Sequence, residues 1–216
     1  MYAQTAFREE RPEVLARAIR EIRAATFVTH TAEGYQASHM PVILRDEGGA
    51  WTLECHMARA NPHWRALAAG PLPTIAIFQG PEAYVSPSWY ETKQLTGKAV
   101  PTWAYVAVHA EGPLEVLEDE AYLRRHLDAL TEANEKGRDP AWEVSDAPPD
   151  FVSGLLKAIV GLRMTVERVQ GSWKLNQHKG DGDKRGVIEG LAASERAQDR
   201  EIAALMRAAK RERSGG

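Results

Sequence analysis

The sequence has one cysteine, no long apolar run and no excess of positive charge, and each lack excludes a class of protein. Cys55 alone cannot form an intrachain disulfide, which indicates a reducing compartment. No segment approaches the roughly 18 consecutive apolar residues of a membrane span, and the N-terminus has no apolar run before its first charges. We therefore expect a cytoplasmic protein without membrane anchor or signal peptide.

The charge balance is also poor for a nucleic-acid-binding protein, because 27 Lys and Arg against 30 Asp and Glu give a formal net charge of −3. DNA binding would need a local basic patch or a dimer surface. The sequence also lacks a glycine-rich dinucleotide fingerprint, a P-loop, HxH and HExxH metal patterns and a GxSxG elbow. We therefore predict no metal site and assign no catalytic residue.

What is present is the pattern of a folded, mainly β chain of 216 residues. Pro12 and the apolar stripe after it predict an amphipathic helix from about Arg11 to Arg23. Six strand candidates follow, at Ala25–His30, Tyr35–Leu44, Trp51–His56, Pro73–Gly80, Thr102–Leu117 and Leu162–Gly171. Because they do not alternate with helices as βαβ units, we predict an α+β, mainly β, fold: an antiparallel split β-barrel with peripheral helices.

The C-terminal region is more polar. A short apolar helix is predicted from Phe151 to Gly161, and KGDGDKRG (Lys179–Gly186) is interpreted as a polar loop. The division predicted is one domain over residues 1–193 and a charged helical tail over residues 194–216. The basic end, Lys210–Arg213, can touch DNA phosphates, although a solvated tail is favoured.

The segment Phe78–Tyr105 concentrates aromatic, hydroxyl and lysine side chains around three prolines. Pro81, Pro87 and Pro101 fix φ and remove backbone donors, so one regular helix is excluded. Stacking faces and ammonium groups together suit a planar, anionic ligand. The alternative, that these aromatic side chains simply fill a β core, stays open at this stage.

Three shorter motifs also carry candidate ligand chemistry. In HMARANPHW (His56–Trp64), Arg59 and Asn61 can hold a phosphate, or Asn61 can simply cap a short helix. In SHMP (Ser38–Pro41), a histidine precedes a proline at a strand edge, as a ligand contact or as a structural histidine. GSWKLNQH (Gly171–His178) completes a pocket or caps the barrel.

Taken in chain order, these motifs resemble the PaiB-type FMN-binding negative transcriptional regulators. The resemblance runs from FREERPEVL (Phe7–Leu15) through HMARANPHW, IFQGPEAYVSPSWY, GKAVPTWAY and VHAEGPL to SDAP, IVG, GSWKLNQH and GVIEGL. It implies a flavin-binding split β-barrel related to pyridoxamine phosphate oxidases, and a homodimer with FMN near the subunit interface.

The resemblance also implies which residues contact the cofactor. His39 and Arg59 would meet the phosphate, and the backbone around Met40 and Pro41 would face the flavin ring. The full implied set is His39, Met40, Pro41, His56, Arg59, Asn61, Trp89, Lys98, Trp103, Lys174 and Gln177.

This chain departs from the family pattern at Ala104, where Asn is usual, and at Ser172, where Lys is usual. One lost polar contact costs about 1 to 2 kcal/mol, so FMN occupancy is expected to fall by about tenfold without loss of binding.

The function implied is that of an FMN-binding, homodimeric repressor of transcription, with flavin as a structural or redox-sensing ligand and DNA as a candidate partner. The alternative is a flavin-dependent oxidoreductase of a small molecule, similar to pyridoxamine phosphate oxidases or flavin reductases, because flavin itself supplies redox chemistry. A third interpretation is haem bound through a histidine. A visible spectrum separates flavin from haem.

Overall fold

The computed structural model describes the chain from Met1 to Ser214. Residues 215–216 and the side chains of residues 210–214 lie outside the described part, and with them the basic side chains predicted to reach DNA. Within Met1–Ser214 no helix has the length and apolar character needed to cross a bilayer.

Seven α-helices surround the strands in the described chain. They are α1 (Pro12–Ile22), α2 (His63–Ala66), α3 (Glu91–Thr96), α4 (Glu120–Glu135), α5 (Pro149–Leu156), α6 (Asp181–Ala192) and α7 (Ala197–Ser214). Short 3₁₀ helices lie at Thr5–Phe7, Pro87–Trp89 and Val144–Asp146. The first helix matches its prediction because Val14, Leu15 and Ile19 share one buried face.

Nine strands form the sheet of the described chain. They are β1 (Arg8–Glu9), β2 (Ala24–Thr31), β3 (Gly34–Pro41), β4 (Ile43–Glu47), β5 (Ala50–Ala58), β6 (Leu72–Val85), β7 (Thr102–Leu117), β8 (Ile159–Thr165) and β9 (Arg168–Lys174). The hydrogen-bonded order is β3-β2-β6-β7-β8-β5-β4, and β9 pairs with both β1 and β7.

Every strand pairing whose register is described is antiparallel, which confirms the mainly β, antiparallel class with peripheral helices. The path is open rather than a closed ring. Strand β5 shows why period-two sequences form this sheet, since its residues alternate between buried and exposed positions along Ala50–Ala58.

Four element predictions were wrong. The single strand predicted over Tyr35–Leu44 is two strands, β3 and β4, which are separated at Val42. KGDGDKRG was interpreted as a polar loop, but α6 begins at Asp181, whose carboxylate pairs with Lys184 one turn later. The helix predicted to end at Gly161 ends at Leu156, and β8 begins at Ile159. The single strand predicted over Leu162–Gly171 is two strands, β8 and β9.

The chain divides into two compact units, and β6 and β7 each continue from one into the other. The larger unit comprises Pro12–Phe78 and His109–Val169. Gly112 illustrates how tightly its backbones pack, because an added Cβ would lie 1.9 Å from the Thr165 carbonyl oxygen. Any side chain at position 112 would therefore displace backbone.

The smaller unit comprises Met1–Arg11, Gln79–Val108 and the chain from Gln170 onward. Its core joins strand residues such as Val85 and Ala104 to helix residues such as Leu191, Ile202 and Met206. Helix α7 therefore buries part of its surface in this core. The division at residue 193 into a domain and a tail stays a prediction.

Candidate functional site

Two residues of HMARANPHW, Asn61 and His63, belong to a continuous chain of buried and partly buried hydrogen bonds in the larger unit. We call it the His63 relay: the Leu72 carbonyl, Thr74, Thr29, His63, Ser38 and Asn61. Thr74 Oγ1 lies 3.1 Å from the Leu72 carbonyl oxygen, and Thr29 Oγ1 lies 2.6 Å from Thr74 Oγ1. His63 Nε2 lies 2.9 Å from Thr29 Oγ1, and its Nδ1 lies 3.0 Å from Ser38 Oγ. Asn61 Nδ2 donates to Ser38 Oγ at 3.0 Å.

Hydrogen-bond accounting fixes the protons of the relay. Thr74 donates its only hydroxyl proton to the carbonyl, so Thr29 must donate to Thr74, and His63 must donate from Nε2 to Thr29. In a neutral ring, His63 Nδ1 is then an acceptor for the Ser38 hydroxyl. Burial lowers the pKa of this histidine, which favours the neutral form.

Asn61 is held at both ends of its amide. Its Nδ2 donates to Ser38, and its Oδ1 accepts from the His63 backbone N–H at 3.0 Å. Asn61 thus binds the first residue of α2 from the position before Pro62, which is itself the N-cap residue. A contact between Asn61 and a cofactor stays a prediction.

The Arg59 guanidinium is also engaged within the larger unit. Its Nη1 lies 2.7 Å from the Glu118 carboxylate, and its other nitrogens donate to the carbonyls of Lys157 and Ile159. Arg59 also lies over the Trp64 ring, 5.6 Å from its centroid. A phosphate could bind Arg59 only by displacing the Glu118 carboxylate. The predicted contact between Arg59 and the phosphate therefore requires this ion pair to open.

The end of β3 presents its polar groups differently. His39 is exposed and its Nδ1 lies 2.9 Å from Thr26 Oγ1, which leaves Nε2 at the surface. The Met40 side chain is buried, whereas Pro41 is exposed where the strand ends. His39 and Pro41 are therefore exposed, and their contact with a cofactor stays a prediction.

His56 forms a pair with a buried histidine that the sequence motifs did not single out. Its Nδ1 lies 3.0 Å from His126 Nε2, and His126 stacks on the Tyr122 ring with an interplanar angle of 7°. Burial lowers the pKa of His56 and, together with His56 and Arg45, lowers the pKa of His126 to about 4. His56 is thus part of an internal pair, and its contact with a cofactor stays a prediction.

The smaller unit offers the exposed aromatic surface. Trp103 and Tyr84 remain 46% and 44% exposed, and their ring centroids lie 6.0 Å apart in an edge-on arrangement. Lys98 is exposed and forms no ion pair with the described residues. This segment therefore exposes two aromatic rings and a lysine, and their contact with a ligand stays a prediction.

Trp89 has a different environment. It is half-buried against α6, where an added Cβ at Gly190 would lie 2.4 Å from its ring and one at Gly186 would lie 2.0 Å from its carbonyl oxygen. Two glycines one turn apart thus make room for this tryptophan. The structure supports the core-filling interpretation for Trp89 and leaves its cofactor contact a prediction.

Lys174 and Gln177 differ in how far they are engaged. The Lys174 ammonium lies 5.7 Å from the centroid of the Tyr105 ring. Gln177 folds back onto its own chain, where Oε1 accepts from the Leu175 N–H at 2.8 Å and Nε2 donates to the Trp173 carbonyl. Lys174 is the more available of the two for an anionic ligand.

Asn176 and Tyr90 form a second buried polar feature of the smaller unit. We call it the Tyr90–Asn176 pair. Asn176 is fully buried at φ 58°, and neither its amide oxygen nor its amide nitrogen has a hydrogen-bond partner among the described residues. The Tyr90 hydroxyl likewise makes no hydrogen bond of standard geometry there. Burial raises its pKa, and the nearby Asn176 amide acts in the opposite direction. These atoms retain unused hydrogen-bonding capacity.

Sequence reasoning missed the roles of His63 and His126, and it included Asn176 only as one of several polar residues of GSWKLNQH. A local signal existed only for Asn176, because an asparagine just after a strand is a common left-handed residue. The other two depend on partners 25 to 70 positions away, which a local motif does not reveal.

The exposed groups have the chemistry that a flavin mononucleotide requires. The larger unit offers His39 at the surface, and the smaller unit offers the exposed Tyr84–Trp103 rings with Lys98 and Lys174 as cations. Rings suit the isoalloxazine, and cations suit the phosphate. Within Met1–Ser214 no group of three or more His, Cys, Asp or Glu side chains is arranged to hold a metal ion.

The two departures from the family pattern lie in the smaller unit. Ala104 is fully buried in its core, and Ser172 is 1% exposed with its hydroxyl unpartnered among the described residues. Position 104 faces apolar neighbours, so an amide there would need a polar partner.

Comparison with known proteins gives related sequences of similar length. A family model described as "Putative FMN-binding domain" matches residues 1–168. The protease synthase and sporulation protein PAI 2 of Bacillus subtilis is 32% identical over 206 residues, covering 95% of this chain and 96% of that protein. A protein of Aspergillus fumigatus is 35% identical over 197 residues, covering 72% of this chain and 76% of that protein.

Solved structures share the fold. The FAD and haem binding protein of Mycobacterium smegmatis matches with a TM-score of 0.56 at 18% identity, covering 77% of this chain and 73% of that one. A flavocytochrome of Azotobacter vinelandii matches with a TM-score of 0.56 at 11% identity, covering 80% of this chain and 72% of that one. Together with the open antiparallel sheet, these likenesses confirm the predicted split-barrel fold.

Proposed function

This chain belongs to the family described as "Putative FMN-binding domain", and from that premise we propose that it is an FMN-binding, homodimeric protein that represses transcription. The resemblance to the PaiB-type regulators is confirmed by the Bacillus subtilis relative, which matches over 95% of this chain. That nearly full-length match is the observation that carries the proposal. Flavin would serve as a structural or redox-sensing ligand.

The side chains that support flavin binding are the accessible ones. Bound flavin would supply reversible hydride and electron chemistry, while the protein supplies binding and orientation. We propose His39 as a phosphate contact, because its ring is exposed. Lys98 and Trp103, which are also exposed, are proposed as candidates for the rest of the pocket. Arg59 can contribute to FMN binding only if the phosphate replaces Glu118 as its ion-pair partner.

A reconstitution experiment tests the cofactor. The full chain is purified, unfolded to release any bound chromophore, refolded and titrated with FMN, while flavin fluorescence and the visible spectrum are recorded. We expect saturable binding of FMN and at least tenfold weaker binding of riboflavin, which lacks the phosphate. A folded protein that takes up neither flavin would overturn the proposal.

Two exposed lysines of the same segment provide a matched pair. Lys98→Ala should weaken FMN about tenfold, whereas Lys93→Ala, a similarly exposed position in α3, should leave affinity within twofold. Equal effects of the two variants would exclude a specific contact at Lys98 and indicate only a general loss of charge.

Dimerisation and repression need separate measurements. Light scattering coupled to size-exclusion chromatography should give twice the 23.9 kDa chain mass with and without FMN. Repression by direct contact with DNA predicts promoter binding that weakens steeply with salt. The reason is that Lys and Arg side chains release the counterions condensed on the DNA phosphates, and added salt opposes this release. A monomer would contradict the proposed homodimer, and the absence of a DNA shift at low salt would contradict direct repression. Turnover of NAD(P)H by the FMN-loaded protein would favour the alternative function, a flavin-dependent oxidoreductase.

A further inference from the structure

The Arg59 guanidinium connects three segments of the larger unit that are far apart in the sequence. Arg59 follows β5 directly, and its side chain reaches the connection between α5 and β8 and the connection between β7 and α4. The first connection supplies main-chain carbonyl groups, and the second supplies one carboxylate, that of Glu118. These two kinds of partner have different consequences for a ligand.

The carbonyl partners fix the position of the guanidinium. Its Nε donates to the Lys157 carbonyl oxygen at 3.2 Å, and its Nη2 donates to that of Ile159 at 3.3 Å. The main-chain N–H of Arg59 donates to the carbonyl between them, Ala158, at 2.8 Å. The Arg59 carbonyl in turn accepts from Trp64 Nε1 at 2.8 Å. Because all these contacts are internal, the protein itself holds the guanidinium in one orientation.

The remaining guanidinium nitrogen, Nη1, has a side chain as its partner. It lies 2.7 Å from Glu118 Oε1, and both side chains are partly exposed, Arg59 by 40% and Glu118 by 57%. Ion pairs open to water are weak, since solvent screens the charges and two long side chains must be held in one geometry. An incoming anion can therefore replace Glu118 while the carbonyl contacts of Arg59 stay in place.

Release of Glu118 would also leave the start of α4 intact. The Glu118 carboxylate has no second partner among the side chains and main-chain groups that the structure describes. The residue that caps α4 is the next one, Asp119, whose side chain accepts from the Tyr122 N–H. The Glu118 carboxylate thus interacts with Arg59 alone in the described chain.

We propose that Glu118 is a specificity-determining residue of the phosphate site: its carboxylate occupies Arg59 Nη1 and yields it only to a dianionic phosphate. A phosphate dianion has more charge and more acceptor oxygens than the carboxylate that it replaces. A ligand with a single carboxylate offers Arg59 no more than Glu118 does, and Glu118 is held beside Arg59 by the chain itself. For FMN as the ligand, this inference rests on the function proposed above.

Glu118→Gln tests the competition, because it removes the charge and keeps the size of the side chain. Affinities of the refolded full chain for FMN and riboflavin are measured by flavin fluorescence. We expect Glu118→Gln to bind FMN about fivefold more tightly than the unsubstituted protein, and riboflavin within twofold. The gain is diagnostic, since damage to the fold would weaken the binding of both flavins.

Two controls separate competition at Arg59 from general electrostatics. Glu120→Gln removes the same charge two positions along the chain, from a residue that lies 3.9 Å from Arg124, and should change FMN affinity less than twofold. In an Arg59→Gln background, Glu118→Gln should likewise change affinity less than twofold, because the competition passes through the guanidinium. Equal gains in Glu118→Gln and Glu120→Gln, or a gain that persists without Arg59, would overturn the proposal.

Inorganic phosphate and acetate provide a test that is independent of flavin. At constant ionic strength maintained with chloride, the ¹⁵N signal of Arg59 Nε, identified by its loss in Arg59→Gln, is followed during each titration. We expect phosphate to shift this signal at about fivefold lower concentration in Glu118→Gln, and acetate to shift it only in that variant. An equal response of the two proteins to either anion would overturn the proposal.

The outcomes also distinguish this inference from the cofactor proposal. Normal FMN binding by the unsubstituted protein without a gain in Glu118→Gln would refute the role of Glu118 and leave the cofactor proposal intact. Absence of FMN binding from both proteins would refute the cofactor proposal, and the phosphate titration would still decide the role of Glu118.

Discussion

The His63 relay and the Tyr90–Asn176 pair are both buried polar features, one in each unit, but they differ in how their hydrogen bonds close. Each side-chain atom of the relay that we name has a partner, and the chain ends on the Leu72 carbonyl. The amide of Asn176 and the Tyr90 hydroxyl have none among the described residues.

The two features respond differently to the free-energy cost of burying a polar group. A buried polar group without a partner costs about 1 to 3 kcal/mol, whereas a complete chain recovers that cost. The relay therefore specifies one arrangement of Ser38, His63 and Asn61, and it holds the segment that follows β5 in place. The pair instead keeps capacity for a water or a ligand atom.

Removal of His63 is expected to have the largest effect. His63→Ala deletes two buried hydrogen bonds, removes one partner each from Ser38 and Thr29 and opens a cavity, so the free energy of unfolding should fall by about 3 kcal/mol. Urea unfolding measures it. His30→Ala, at an exposed position on β2, should cost less than about 0.5 kcal/mol; equal losses would mean that the relay contributes nothing special.

Acid should destabilise the larger unit through its neutral histidines. The pKa of His126 is lowered to about 4 in the folded state, so the unfolded chain binds the proton first and stability is lost as pH falls below about 6.5. Between pH 7 and pH 5 this histidine alone should remove about 2 kcal/mol, and His63 shifts in the same direction.

Variants at His126 and Tyr90 separate the effect of the buried histidine in the larger unit from that of the Tyr90–Asn176 pair. His126→Asn should flatten the dependence of unfolding free energy on pH in this range, whereas Tyr90→Phe should leave the slope unchanged, because the Tyr90–Asn176 pair contains no histidine. An unchanged slope in His126→Asn would show that other groups cause the acid sensitivity.

Glycines on α6 test the packing beside the Tyr90–Asn176 pair. Gly190→Ala places a Cβ 2.4 Å from the Trp89 ring, so its overpacking should outweigh the helix-propensity gain and cost about 1 to 2 kcal/mol. Gly182→Ala meets only the flexible Glu91 carboxylate and should cost less than about 0.5 kcal/mol. Thermal unfolding of both variants checks the difference, and a Gly190→Ala protein as stable as Gly182→Ala would contradict the Trp89 packing.

The smallest effect is expected at the pair itself. Tyr90→Phe removes a hydroxyl that has no partner, so stability should change by less than about 0.5 kcal/mol, whereas Thr29→Val in the relay should cost about 1 to 2 kcal/mol. Urea unfolding of the two variants compares them directly. A loss above about 1 kcal/mol in Tyr90→Phe would indicate that a bound water completes the pair.

Much of the fold was predictable because its signals are local. Pro12 and the apolar stripe gave α1, and alternation gave strands such as β2 and β5. The start of α6 at Asp181 was missed because glycines and charges in KGDGDKRG are typical of loops. Packing of Val187, Ile188 and Leu191 in the core of the smaller unit overrides that local preference.

The sequence by itself determined the antiparallel split-barrel class and the family, because periodicity and motif order are written along the chain. Only the tertiary structure decided that His39, Lys98 and Trp103 are exposed and that Arg59 pairs with Glu118. It also decided that Trp89 packs against the glycines of α6, and that His63 and His126 are buried with lowered pKa values. Their physical state depends on neighbours far away in sequence, and burial and pairing set the free energy of a polar side chain only once those neighbours meet.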